Sequence, residues 1–307
     1  MATKNGGLGR VWEAVSRREA VLNAHPHLGQ LEKGVAEAVR RFAAGQCDHS
    51  AVRAAMEVRR AYLEGHGIPL SYAEPQWACA TCQDEGYVRG GPCVCRQQAE
   101  LDRIVAGSNL PVKLRQQTFD KFELRWYSTT KKSPQGVTER ASARDALRSC
   151  QAFVARVLEG RTDKGLFVSG GVGLGKTFLL SAICNSLTEA RVPTLYVVFS
   201  DLIGAIRDSF NPESTQSESR IMNATKEARV LILDDLGAEH VTDFVTNRLF
   251  DIINFRCNHG LPLVVSSNLG ATQIAELYGP RIASRLMEMC EPVTLVGEDI
   301  RWQKQRQ

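Results

Sequence analysis

From about residue 140 onward, the sequence predicts an α/β domain in which helices cover both faces of a parallel sheet. Four short apolar runs are predicted as strands, at residues 165–170, 194–199, 229–235 and 261–268. Helical stretches alternate with these runs, near residues 143–159, 176–190, 200–225 and 243–258. Short buried strands that alternate with helices favour a parallel sheet, because the crossover helices cover both of its faces. Two motifs at the ends of these runs support the prediction and also indicate a site that binds phosphate and Mg²⁺.

The first motif is GGVGLGKT, which fits the phosphate-binding pattern G-x-x-x-x-G-K-[ST] and lies between the first strand and the next helix. Glycines allow the loop backbone to wrap a phosphate with several N–H groups, and the start of the helix adds its positive end. The glycines assigned to this role are Gly170, Gly171, Gly173 and Gly175. Lys176 is expected to reach the β- and γ-phosphates, and Thr177 is expected to ligate Mg²⁺.

The second motif is VLILDD, an apolar strand that ends in two acids about 55 residues after the P-loop. In P-loop proteins such an acid completes the Mg²⁺ shell, so Asp234 is assigned that role. Asp235 is then placed to polarise the attacking water, with a helix cap as the alternative. The order of the two motifs makes the prediction stronger than either motif alone.

Composition excludes several classes of protein. The chain has 307 residues, a formal net charge of +4, 43% hydrophobic residues and 23% charged residues, as soluble globular proteins have. No window approaches 18 consecutive apolar residues, and the start MATKNGGLGRVW lacks the apolar core of a signal peptide. We therefore expect a soluble, cytoplasmic protein without a membrane segment. The mild positive charge permits contact with nucleic acid without indicating it.

Residues 1–66 are predicted to form a helical N-terminal domain of three amphipathic helices. The first two are separated at His25 and Pro26, and the third begins after Asp48 and Ser50, either of which can cap it. Residues 1–60 hold ten Lys+Arg against six Asp+Glu, so the polar faces are basic. A solvated face and a binding face both explain that charge.

Four of the nine cysteines fall within 17 residues, with the spacing C-x₂-C-x₁₀-C-x-C. They are Cys79, Cys82, Cys93 and Cys95. In a chain without a secretion signal, such a cluster indicates metal ligands. Four thiolates can close a tetrahedral Zn²⁺ site, which is structural because no position stays open. An iron–sulfur cluster and unmetallated thiols remain alternatives. Residues 67–104 are therefore predicted to be a zinc-binding linker module.

Four motifs in order resemble those of AAA+ ATPases of the DnaC/DnaI helicase-loader and IstB group: the P-loop, LILDDLG, a strand ending in SSN, and GPRIASRL. The resemblance covers about residues 105–301 and implies an AAA+ ATPase domain over residues 105–307 that binds ATP. It implies that Asn268 holds the sensor-1 position, which orients water or the γ-phosphate. Arg285 matches the arginine finger, which acts on ATP held by a neighbouring subunit. Arg281 either shares that role or pairs with phosphate.

Two departures from the general AAA+ pattern affect the expected activity. The second acid of the apolar strand is usually Glu and here is Asp235, so hydrolysis is expected to be slow or to use Glu239 instead. Only 22 residues follow Arg285, which are too few for the usual C-terminal lid. Both departures favour an ATP-governed switch over a fast motor. A finger that acts in trans also implies head-to-tail self-association in a ring or spiral.

The segments WACATCQDEGYVRGGPCVC and YLEGHGIPLSY resemble the region that joins the two domains of DnaI-type loaders. In that group the N-terminal helical domain grips the replicative helicase. The resemblance thus implies a loader that binds a DnaB-type replicative helicase and assists its loading onto single-stranded DNA in DNA replication. Two alternatives remain: an IstB-like helper that recruits a transposase, and a nucleotide-dependent adaptor that does not hydrolyse ATP.

Overall fold

The computed structural model describes residues 7–104, 110–111, 113–161, 164–214 and 216–305. Contacts within the chain divide it into two compact units, Met1–Cys93 and Val94–Gln307. The predicted starts of the N-terminal domain at residue 1 and of the ATPase domain at residue 105 lie outside the described residues. Within the described part of the chain, no helix combines the length and the apolar character needed to cross a bilayer.

The first unit begins with the three predicted amphipathic helices. Their bounds are α1 Gly7–Ala24, α2 Pro26–Ala43 and α3 His49–Gly65. Pro26 is the first residue of α2, where its missing N–H costs nothing. Asp48 caps α3, because its Oδ1 accepts hydrogen bonds from the backbone N–H groups of Ser50 at 3.0 Å and Ala51 at 3.2 Å. A short hairpin follows, with strands β1 Tyr87–Val88 and β2 Gly91–Pro92.

The core of this unit is small and is completed by a polar network around Glu32. Leu28 and Leu63 are fully buried, and Tyr72 packs on them. The Tyr72 hydroxyl and the Arg18 guanidinium donate hydrogen bonds to the Glu32 carboxylate, and Arg59 donates to it at 3.5 Å. Burial opposes ionisation of Glu32, but the bonds from Tyr72 and Arg18 outweigh it and lower the pKa of the carboxyl group. One acid therefore ties all three helices to the loop that follows them.

The second unit contains a five-stranded parallel sheet in the order β4-β5-β6-β3-β7. The strands are β3 Gly165–Gly170, β4 Thr194–Val198, β5 Val230–Leu236, β6 Leu263–Ser267 and β7 Cys290–Leu295. The first four are the predicted strands, and the predicted α/β class is confirmed. β7 was missed because its sequence, CEPVTL, carries a proline and an acid and lies at the sheet edge.

Helices cover both faces of the sheet. Their bounds are α4 Val94–Ile104, α5 Glu139–Leu158, α6 Lys176–Glu189, α7 Phe199–Asp208, α8 Glu218–Glu227, α9 Asp243–Asn258, α10 Ala271–Tyr278, α11 Pro280–Met289 and α12 Ile300–Gln305. Leu166 and Val168 of β3 belong to a buried cluster with α5 and α6, whereas Phe167 belongs to the cluster with α7, α9 and α11. Successive strand residues point to opposite faces, so β3 is buried on both sides.

Arg256 on α9 is fully buried and bonds four backbone carbonyls. Its Nη1 donates to Thr225, Lys226 and Ala228 at 3.2, 3.0 and 2.8 Å, and its Nη2 donates to Pro262 at 2.6 Å. The first three carbonyls lie at the end of α8, where a helix leaves its carbonyls unpaired. Burial lowers the pKa of Arg256 to about 9.

The position of α4 differs from the predicted segment limits. This helix packs on β4 and α8, and Gln98 exchanges hydrogen bonds with the backbone of Thr194 at 2.8 and 2.9 Å. Those bonds pair the free backbone N–H and carbonyl groups of Thr194 on the edge strand β4. Residues from Val94 onward therefore lie in the second unit. The functional division into residues 1–66, 67–104 and 105–307 stays a prediction.

Candidate nucleotide site and cysteine cluster

The loop between β3 and α6 has backbone conformations that favour glycine. Gly173 and Gly175 have φ values of +73° and +88°, and α6 begins directly afterwards. At Gly170 a Cβ atom would lie 2.3 Å from the Leu295 carbonyl oxygen, so the close approach of β7 excludes a side chain. Gly171 follows within the same turn. The sequence therefore folds here into an open loop at the start of a helix, as phosphate binding requires.

Lys176, the first residue of α6, turns its ammonium group back into this loop. Its Nζ donates to the carbonyl oxygens of Gly170 at 2.8 Å and Gly171 at 2.7 Å, and to Asn268 Oδ1 at 2.7 Å. Burial lowers the pKa of Lys176, and the charges of Asp235 and Asp234 oppose that effect. The loop thus holds a buried cation at the place where an anionic phosphate would bind.

Asp234 is held by three hydroxyl groups from three different elements. Thr177 Oγ1 lies 3.4 Å from Asp234 Oδ1, and the Ser266 hydroxyl donates to the same oxygen. The Tyr196 hydroxyl donates to Oδ2 at 2.5 Å. Burial and the neighbouring Asp234 charge raise the pKa of Tyr196, so this hydroxyl remains a donor. Sequence reasoning found Thr177 and Asp234 but missed Tyr196 and Ser266, which face the acid only because β4, β5 and β6 are adjacent.

Asp235 and Asn268 lie beside each other at the same edge of the sheet. Asp235 has φ +58°, and Ser266 Oγ accepts a hydrogen bond from its N–H at 2.9 Å. Asn268 Nδ2 donates to Asp235 Oδ1 at 3.2 Å, while its Oδ1 accepts from Lys176. Left-handed backbone is uncommon outside glycine and is often retained at functional sites. Asn268 therefore links the second acid to the P-loop lysine.

Glu239, the alternative hydrolytic acid, already has partners. Its Oε2 accepts from the Gly237 N–H at 3.2 Å, and its Oε1 accepts from the Tyr278 hydroxyl. Burial raises the pKa of Glu239. Glu239 therefore bonds Gly237 and Tyr278, whereas Asp235 bonds Asn268, the partner of the P-loop lysine.

A cavity of about 370 Å³ lies beside the P-loop. Its walls include Phe122, Trp126, Tyr127, the loop and helix start at residues 173–178, and Arg301. The Tyr127 hydroxyl donates to the carbonyl of Leu174 at 2.7 Å, which fixes the aromatic wall to the loop. Sequence reasoning missed this cavity, although the aromatic run in TFDKFELRWYS was a visible signal. A cavity with aromatic walls beside a phosphate-binding loop suits the planar base of a nucleotide.

The two candidate finger arginines lie on α11. Arg285 Nη1 donates to Glu288 Oε2 at 2.8 Å and contacts Cys257 Sγ at 3.6 Å. Cys257 and Glu288 line a small cavity together with Gly165, the first residue of β3. Arg285 is therefore directed toward the amino end of β3, whereas the P-loop follows its carboxyl end. The Arg281 guanidinium stacks on the Phe250 ring, 4.4 Å from its centroid.

The four clustered cysteines are brought together, with their sulfur atoms within 4.8 Å of one another. Asp84 orders the first pair, because its oxygens accept from the Ala78 N–H at 3.1 Å and the Cys79 N–H at 2.7 Å. The Gly86 N–H donates to Cys82 Sγ at 3.3 Å. Four converging thiols, one of which accepts a backbone N–H, fit a tetrahedral metal site.

The comparisons with known proteins agree with this geometry. Residues 140–290 match the family described as the bacterial DnaA ATPase domain. The replicative helicase loader DnaI of Bacillus subtilis (strain 168) is 28% identical over 162 residues, which cover 48% of this chain and 51% of DnaI. The replicative helicase loader DnaC of Escherichia coli (strain K12) is 25% identical over 142 residues, covering 46% of this chain and 57% of DnaC.

The matches to DnaI and DnaC therefore span only about half the length of these relatives. A crystal structure of DnaI superposes with a TM-score of 0.47 at 24% identity, covering 61% of this chain and 95% of that structure. The predicted fold class, a parallel sheet flanked by helices with the P-loop directly after one of its strands, is confirmed by the strand order and by the position of the loop between β3 and α6. Residues 140–290 thus match the bacterial DnaA ATPase domain, and about half of the chain is homologous to parts of the replicative helicase loaders DnaI and DnaC.

Proposed function

We propose that this protein is an ATP-dependent helicase loader, which docks on a DnaB-type replicative helicase and assists its loading onto single-stranded DNA in the cytoplasm. One observation supports the proposal most. The P-loop lysine, the Asp234–Asp235 pair and Asn268 form one connected hydrogen-bonded edge in a chain homologous to two helicase loaders. The nucleotide chemistry follows from that edge, and the partner follows from the homology.

Phosphate binding is the task of the loop and of Lys176. The N–H groups of residues 171–177 surround the place where the β-phosphate binds, and the helix α6 adds its positive end. The Lys176 ammonium then exchanges the carbonyls of Gly170 and Gly171 for phosphate oxygens. In the new bonds both partners are charged, so a Coulomb attraction adds to the hydrogen bonds that Lys176 already makes to neutral carbonyls. The cavity lined by Phe122 and Trp126 receives the adenine base.

Thr177 and Asp234 are the residues that would hold Mg²⁺, since a hydroxyl and a carboxylate oxygen already lie 3.4 Å apart there. The ion supplies charge stabilisation to the transferring phosphoryl group. Asp235 and Asn268 then orient water, with Asp235 as the proton acceptor. The shorter side chain of Asp, compared with Glu, makes this hydrolysis slow and dependent on the partner.

Arg285 acts on the nucleotide of a neighbouring subunit. It points toward the amino end of β3, while the P-loop follows the carboxyl end, so it is badly placed for the site of its own chain. A contact between different surfaces of two copies generates a ring or spiral. Arg281 is one helical turn away and is held on Phe250, which leaves Arg285 as the main finger.

The helicase docks on the N-terminal unit, with residues 1–66 as the contact region. On α1, Trp12 is 69% exposed and its neighbours Val11 and Val15 are also exposed, although apolar residues of this size are usually buried. Exposed tryptophan is typical of the centre of protein interfaces. The cysteine cluster holds a structural zinc ion that shapes the segment after these helices.

The ATPase prediction separates binding from hydrolysis. Asp235→Asn should retain ATP binding and lose turnover by about 10²-fold or more, because the proton acceptor is removed. Lys176→Ala should weaken ATP binding itself by about tenfold or more, because charged bonds to phosphate are lost. Turnover is measured with helicase and single-stranded DNA present, with Arg148→Ala on the exposed face of α5 as the control. Equal, measurable turnover in wild type and Asp235→Asn would contradict the role of Asp235, and no difference among wild type, Asp235→Asn and Lys176→Ala would instead identify a non-hydrolysing adaptor.

The helicase prediction uses the full-length chain. Immobilised wild-type protein should capture a purified DnaB-type helicase from the same genome, and Trp12→Ala should weaken capture by about thirtyfold, as a central aromatic anchor does. Trp302→Ala is the matched control, because Trp302 is similarly exposed at 64% but lies in the second unit. Capture of a transposase and not of the helicase would reverse the proposal in favour of an IstB-like helper.

The zinc prediction concerns metal content. The purified protein should contain one zinc ion per chain by elemental analysis, and Cys79→Ser should retain less than about a tenth of it, because a three-thiol site binds far more weakly. Cys47→Ser should keep the full amount, since Cys47 lies outside the cluster. Iron in place of zinc, or zinc retained by Cys79→Ser, would contradict the assignment.

A further inference from the structure

The segment after β7 returns to the P-loop. The Ile300 N–H donates to the carbonyl of Gly173 at 3.2 Å. The Asp299 carboxylate packs directly against Gly173, where a Cβ atom would lie 1.8 Å from Oδ1. Gly297 likewise packs beside Leu174, with its Cβ position 3.3 Å from that side chain. Residues 296–301 are thus fixed against the loop that binds phosphate.

This contact brings Arg301 to the nucleotide cavity. Arg301 lines the same cavity as Gly175, Lys176 and Thr177. Its side chain is 73% exposed, and its Nε lies 4.0 Å from Asp299 Oδ1, the limit for an ion pair. Asp299 Oδ1 also accepts the backbone N–H of Arg301 at 2.8 Å. The guanidinium is therefore only weakly held and lies within a site built for a polyanion.

The position of the cavity shows which phosphates Arg301 faces. The cavity runs from the aromatic residues Phe122 and Trp126 to the loop at residues 173–178. Asp235 and Asn268, which hold the γ-phosphate end with Lys176, are outside the described lining of this cavity. Lys176 therefore lines the cavity that holds the aromatic residues and also contacts Asn268, which is not among the residues that line it. Arg301 lines the cavity with the aromatic residues.

We propose that Arg301 binds the α- and β-phosphates of the nucleotide held by its own chain. The proposal rests on the nucleotide site proposed above. It adds a phosphate-binding residue that lies outside all of the sequence motifs. A guanidinium binds phosphate oxygens through two parallel N–H donors. A lysine keeps the positive charge but cannot reproduce this geometry. Because ADP and ATP share these two phosphates, Arg301 binds both nucleotides alike. It anchors residues 296–301 to the loop in either nucleotide state.

The test is an equilibrium titration of the full-length protein with fluorescent ATP-analogue and ADP probes in Mg²⁺. Arg301→Ala should weaken binding of both probes by the same factor, about tenfold. Arg301→Lys should recover only part of that loss, because the charge persists but the two parallel donors are lost. The kcat at saturating ATP should stay unchanged while KM rises, as for an interaction made equally in the ground and transition states. Arg144→Ala on α5, which is exposed and paired with Asp145, is the matched control.

Three results would overturn the proposal. An Arg301→Ala variant that binds both probes like wild type would show no contact. A loss confined to the ATP analogue, or a fall in kcat, would place Arg301 at the γ-phosphate. Equal losses in Arg301→Ala and Arg301→Lys would indicate stacking on the base. Failure of the wild-type protein to bind either probe would instead contradict the nucleotide site itself.

Discussion

The site depends on one constraint, the burial of the Asp234 carboxylate at the edge where the parallel strands end. Asp234 is only 3% exposed, and a buried charge is costly unless hydrogen bonds and counter-charges surround it. Here Tyr196 from β4, Ser266 from β6 and Thr177 from α6 all turn a hydroxyl toward it. Three elements are thereby held in register around one acid, which is preorganised to ligate a cation. The same arrangement places Asp235 and Asn268 beside the P-loop lysine.

Much of this edge could be predicted because each motif carries its own local signal. The P-loop and the acid pair follow apolar runs, and the carboxyl ends of parallel strands meet at one edge. The aromatic cavity could not be predicted with the same ease, since Phe122 and Arg301 are far apart in sequence and meet only through the loop. β7 was not predicted because its sequence contains a proline and an acid. The burial of Arg256 was not predicted either, because arginine is usually exposed. These features depend on tertiary packing, which pattern and propensity do not contain.

The arrangement divides nucleotide recognition between the two ends of the phosphate chain. Asn268, Asp235 and the neighbour's arginine finger would respond to the γ-phosphate, whereas Arg301 would hold the part that ATP and ADP share. A switch with this division stays loaded with nucleotide through hydrolysis while its contact to the next subunit changes. Such behaviour would suit the helicase loader proposed above, for which slow hydrolysis at Asp235 would be sufficient.

We propose that Asp234 and Thr177 form a magnesium site that couples ATP to this edge. ATP affinity is measured with Mg²⁺ and with EDTA in the wild-type protein and in Asp234→Asn. Mg²⁺ should tighten binding in the wild-type protein, whereas Asp234→Asn should retain EDTA-level affinity and lose the gain from Mg²⁺ by about tenfold or more. An Asp234→Asn variant with the full Mg²⁺-dependent gain would contradict a magnesium site at Asp234.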